Sequence, residues 1–152
     1  MTAIESVIQV AHVLFAGLWT GSLLFAVGAV LPASSAGDIS AATMTAITSR
    51  LVWLTRISAI VFITTGGHLA GTRYTGETLF STGRGQLVVT MLVLWLALTA
   101  LIEIGVKRFD RSAAAVDVST AVDATRPIFL LAGVLAVALL VDAGMLATGV
   151  SP

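Results

Sequence analysis

The stretch Gly85–Ile102, GQLVVTMLVLWLALTALI, runs for 18 residues without a charged side chain, between Arg84 and Glu103. A helix rising 1.5 Å per residue covers about 27 Å in that distance, close to the hydrocarbon thickness of a bilayer. Its apolar residues are continuous and do not alternate, which argues against a strand of a membrane barrel. The stretch reads as a transmembrane helix. Three others read the same way.

Between Glu5 and Asp38 lie 32 residues whose only ionisable side chain is His12. The first span is expected over residues 4–31, with Pro32 ending it. The second is expected over residues 51–70, with Arg56 near its start. Asp38 is a candidate N-cap for a helical extension through Ile39–Arg50. The third covers residues 85–105. The fourth begins at Pro127, a favoured first helical position, and runs to residue 149 with Asp142 inside it. Ser112–Thr125, rich in Ala and Val, is expected as a connection or a short surface helix. Ala33-Ser34-Ser35-Ala36 resembles a leader cleavage site. The apolar stretch before it is about twice the length of a signal core and no Lys or Arg precedes it, so a retained helix is expected. No repeat or domain boundary stands out. The expectation is an all-α integral membrane protein, one four-helix domain over residues 1–152.

Composition agrees. Of 152 residues 57% are hydrophobic and 11% charged, against about 45–50% and 25% in soluble domains; mean hydropathy is +1.03. Eight basic and eight acidic residues leave no net charge, so no field draws the chain to nucleic acid. The absence of cysteine excludes disulfides, zinc–thiolate sites, iron–sulfur clusters and a catalytic thiol. Arg50, Arg56, Lys107, Arg108, Arg111 and Arg126 lie at the first and third connections, and only Arg73 and Arg84 on the other side. That asymmetry predicts an N-out/C-out, multi-pass protein of the cell membrane.

Ionisable residues inside a span are costly and mark functional sites by default. Counted from the span ends at 1.5 Å per residue, His12 and Asp142 lie about 10 Å deep and His68 about 7 Å deep, all from the outer side. Met91 and Met145 fall in the same layer. Glu5, Gln9, His12 and Trp19 share one face of the first helix, and Thr64 and Thr65 lie beneath His68. Gly17 and Gly21 form a small-xxx-small pair suited to helix packing or a homodimer.

Two chemistries suit this layer. His12 and His68 are a candidate axial pair for haem b, which is the leading expectation and would pass electrons within the membrane or to an outer partner. Gly66, Gly67 and Gly71 would make room, Arg73 and Arg84 would meet the propionates, and Asp142 would orient an imidazole. Alternatively His12, His68, Met91, Asp142 and Met145 are a ligand set for copper, since thioethers favour Cu(I). A third reading is a non-catalytic subunit whose polar stripe meets a larger membrane complex. The plainest is that the histidines are hydrogen-bonded bundle residues and the methionines fill space. Arg56 and Glu103 are expected to pair or to snorkel. Trp53 and Tyr74 fit interfacial anchors, while Trp19 and Trp95 lie deeper. No nucleophile–base motif, Walker loop or HExxH is present.

The run His12-Val13-Leu14-Phe15-Ala16-Gly17-Leu18-Trp19-Thr20-Gly21 resembles the opening helix of the CopD-like membrane domain, with its His, a Trp seven residues on and a Gly two later. Leu23-Leu24-Phe25, Pro32 and Tyr74…Gly85-Gln86-Leu87 are also similar to it. Where many relatives carry a Lys early in the third helix, this chain has Thr90 or Met91. The resemblance implies a helical bundle associated with copper uptake, with His12 and Trp19 as its matching site positions. A distant branch of the superfamily resembles membrane-bound protoporphyrinogen oxidases, whose further motifs are not evident here.

Overall fold

The computed structural model describes residues 2–149. Four helices in it are long and apolar enough to cross a membrane. They are α1 (Ala3–Ser35), α2 (Ala41–Arg73), α4 (Gly83–Ala113) and α5 (Val118–Thr148), with a short α3 (Gly76–Ser81) between α2 and α4. Short connections force antiparallel neighbours. Accordingly α1 packs on α2, α2 on α4, α4 on α5, and α5 returns to α1. The expected all-α, four-helix membrane bundle is the observed architecture. An even number of spans leaves residues 2 and 149 on one side of the bundle, the terminal end; the other is the basic end.

The helix ends differ from the expectations in three places. Pro32 does not stop the first helix. Ala26–Val30 form one wide turn, in which Leu31 N–H donates to the Ala26 carbonyl five residues back. Such a turn admits a residue without an amide hydrogen soon after it. Asp38 does not cap α2; the Ser40 side chain accepts from Thr43 N–H and does so instead. The last helix does not start at Pro127 but at Val118, and Pro127 lies within it. The start is set by Asp117, whose carboxylate takes the Thr120 amide. Most of the expected connection is therefore the first turns of α5.

The core joins Trp19 and Leu23 of α1 to Leu98, Ile102 and Phe109 of α4 and Phe129 of α5. The outer surface is equally apolar: Val10, Leu14, Trp53, Ile60, Leu96 and Val134 are all exposed, as lipid-facing side chains must be. Lipid tails are as apolar as leucine, so close packing rather than water exclusion holds such helices together. Small residues mark the closest approaches. A Cβ on Gly105 would meet the Phe129 ring at 3.1 Å, and one on Gly133 would meet Val27 at 3.3 Å.

Hydrogen bonds from Ser119 and Thr120 hold the Asp117 carboxyl down to about 2. In an unfolded chain this acid takes its proton near pH 4. The stabilisation it gives is therefore present above about pH 4 and is lost as pH falls toward 2. Hydrogen exchange checks this. The protection factor of the Thr120 amide is expected to fall between pH 4 and pH 2 in the wild type. It should stay level in Asp117→Ser, whose hydroxyl caps without titrating; equal behaviour of the two would sink the prediction.

Candidate functional site

His12 lies half-buried on the face of α1 that meets α2. Its Nδ1 is 2.8 Å from Thr65 Oγ1. With the Thr65 hydroxyl proton on the Val61 carbonyl, its oxygen is free to accept from the ring, and the network assigns the ring proton to Nδ1. That assignment leaves a lone pair on Nε2, and the one side-chain hydrogen bond of His12 among the described residues runs through Nδ1. Gly66 is what lets the ring lie so close to α2, since a Cβ there would stand 3.2 Å from His12 Cε1. Phe62 closes another side with ring centroids 5.2 Å apart.

Below His12 the bundle is filled by aromatic rings. Phe62 meets Trp19 edge-on at 5.7 Å and Trp95 at 6.4 Å. Trp19 is fully buried, and its Nε1–H donates to Thr55 Oγ1 at 2.9 Å. The indole is thus committed to holding α1 on α2. It leaves no polar edge for a cofactor.

The inward face of α2 carries Leu51, Thr55, Ser58, Phe62, Thr65 and Leu69. His68 stands off that face and is exposed. No hydrogen bond or ring contact joins it to His12 among the described residues. The two imidazoles do not face each other across a slot, and the rings of Phe62, Trp19 and Trp95 occupy the space beneath. Nor do the arginines gather there. Arg84 Nη2 donates to the Leu146 carbonyl at 3.2 Å, tying α4 to the last turn of α5, and Arg73 is exposed. A macrocycle clamped between His12 and His68 of one bundle does not fit this arrangement.

Met91 and Asp142 do fall beside His12 in depth. Arg56–Glu103 (3.1 Å) and Phe62–Trp95 fix the antiparallel register of α2 and α4. Counted from those contacts, Met91 comes level with Gly66 and Gly67. The contacts of Gly105 with Phe129 and of Arg84 with Leu146 fix α4 against α5, and bring Asp142 level with Met91. Met91 packs against the core. Asp142 is 6% exposed, and its Oδ2 has no partner among the described residues. Met145 is half-buried nearly one turn closer to the terminal end. Among the described residues no three His, Asp or Glu side chains cluster as a metal site. The donors available in the layer are one imidazole, one thioether and one carboxylate.

Several polar roles escape the sequence reading. Thr65, expected beneath His68, instead meets His12, and Thr55, not singled out at all, meets Trp19; both share a face with Leu51 and Leu69 at helical spacing. That stripe is the signal that would have found them. Ser58 and Thr99 come to the same depth on facing helices, each with a buried hydroxyl oxygen lacking a partner. The expected Arg56–Glu103 ion pair is present, and Trp53 is exposed as an anchor would be.

Comparison with family models, curated proteins and solved structures finds no match.

Proposed function

We propose that this membrane protein binds copper(I) in the terminal half of its bundle and serves copper binding or passage across the bilayer. The observation that carries the reading is the His12–Thr65 hydrogen bond. Fixing Nδ1–H on a second residue is how proteins orient an imidazole so that Nε2 meets a metal. Met91 adds the thioether that favours Cu(I) over harder ions, and Asp142 adds a negative charge from the neighbouring helix. The likeness of His12–Gly21 to the CopD-like opening helix supports the same metal. Haem b ranks below copper because His68 turns outward and aromatic rings fill the space that a macrocycle would need.

The test is Cu(I) retention by the detergent-purified protein against a competing chelator, with a visible spectrum of the same sample. One equivalent of copper is expected in the wild type. Thr65→Val should weaken retention by about 10–100-fold, and His12→Ala should abolish it while His68→Ala leaves it intact. Copper held equally by His12→Ala overturns the reading. A Soret band lost in both histidine variants replaces it with bis-imidazole haem. A metal-free chain that purifies only with a larger membrane protein replaces it with the subunit reading.

A further inference from the structure

We propose that the groove between the last turns of α4 and the first turns of α5 binds the headgroup of an anionic phospholipid. Arg108 and Arg111 stand three residues apart on one side of α4 and line this groove. Ser112 adds a hydroxyl, and Ala115 and Ala124 leave its floor shallow and apolar.

Neither guanidinium has an ion-pair partner among the described residues. The nearby acids are turned to other tasks. The Asp117 carboxylate accepts from Ser119 and Thr120 in its own cap. Asp123 accepts from Ser35 of α1, and Asp110 stands about 200° round α4 from Arg108. Two forks of N–H donors are thus left for an anion, and a phosphodiester oxygen suits that geometry.

The depth of the groove selects a lipid over a free anion. It opens after the apolar run of α4 has ended and before that of α5 begins, at the level where headgroups lie. Both walls then continue as lipid-facing apolar side chains. Ile104 lies one turn below Arg108 and is 55% exposed, and Leu131 lies two turns beyond Ala124 and is 50% exposed. A phosphate held at the arginines would leave its acyl chains along these residues. Basic pockets between spans recognise acidic lipids in this way.

Native mass spectrometry of the full chain in detergent, offered equal phosphatidylglycerol and phosphatidylcholine, tests this. Phosphatidylglycerol is expected to be retained preferentially. The double variant Arg108→Gln/Arg111→Gln should reduce that preference by about tenfold or more. Arg50→Gln, at the same end but outside the groove, should leave it unchanged. The charge-keeping variant Arg108→Lys should retain more of it than Arg108→Gln while losing the part the guanidinium fork supplies, which separates loss of charge from loss of fold. Equal retention of the two lipids, or an unchanged preference in the double variant, overturns the proposal. Displacement of the lipid by an equal concentration of inorganic phosphate also overturns it, in favour of a free-phosphate site.

Discussion

Trp19→Ala is expected to cost the bundle about 3–5 kcal/mol, the range for removing a fully buried large aromatic side chain. The hydrogen bond is the smaller part of that loss. Bonds between membrane helices average about 0.6 kcal/mol in double-mutant cycles. The Thr55 hydroxyl, which also donates to the Leu51 carbonyl, does not become an orphan when the indole is removed. The larger part is the indole itself, which meets Phe62 edge-on and fills the core shared by α1 and α4. Trp19→Phe keeps much of that ring and should cost roughly 1–2 kcal/mol. Unfolding in mixed micelles, followed by helicity, measures both. A cost below about 1 kcal/mol for Trp19→Ala would mean that the helices close over the gap. The same variant should also weaken copper retention, because Phe62 is a wall for both Trp19 and His12.

Gly85→Ala is expected to be the most damaging single-methyl addition in the chain. A Cβ there would run into the backbone oxygens of Thr78 and Leu79, well inside contact distance. Backbone cannot rotate away as a side chain can, so α3 must lift from α4. Overpacking of this kind costs about 1–3 kcal/mol. The Thr82 cap on the Gly85 amide and the Arg84–Leu146 contact are expected to loosen with it. Gly71→Ala is the control, since nothing lies within 4 Å of the added carbon. Helix propensity alone makes that change neutral or stabilising by up to about 1 kcal/mol. Comparing the two melting temperatures, with proteolysis at residues 74–82 as a local readout, decides the matter. Equal stability of the two variants would show that α3 does not rest on Gly85.

The spans were legible because long uncharged runs admit few other structures. Their ends were less so. Pro127 suits a first helical position and drew the expected start nine residues too late, although Asp117 and Thr120 carried a capping signal upstream. The site was legible in depth and not in direction. Counting from Glu5, Arg84 and Gly149 brought His12, Met91 and Asp142 to one layer, because rise per residue is constant. Which way a side chain points depends on helical phase against a partner, and lipid-facing and core-facing positions are both apolar here. His68 and Thr65 differ by less than a turn of α2, yet one is exposed and the other holds His12. Only the contacts of α2 with α1 separate them.

The wide turn at Ala26–Val30 has a consequence for how α1 works as a part. A π turn amounts to one extra residue slipped into an α-helix, so everything beyond it is rotated by about 100° relative to an unbroken ladder. Before the turn, α1 keys chiefly into α2, through His12 and Trp19, and touches α5 less extensively. Beyond it, Leu31–Ser35 lie against α5. One rod thus serves two partners at two phases, and the inserted residue is the coupling between them. Deleting any one residue from that turn would leave α1 able to mesh with either α2 or α5 and out of step with the other.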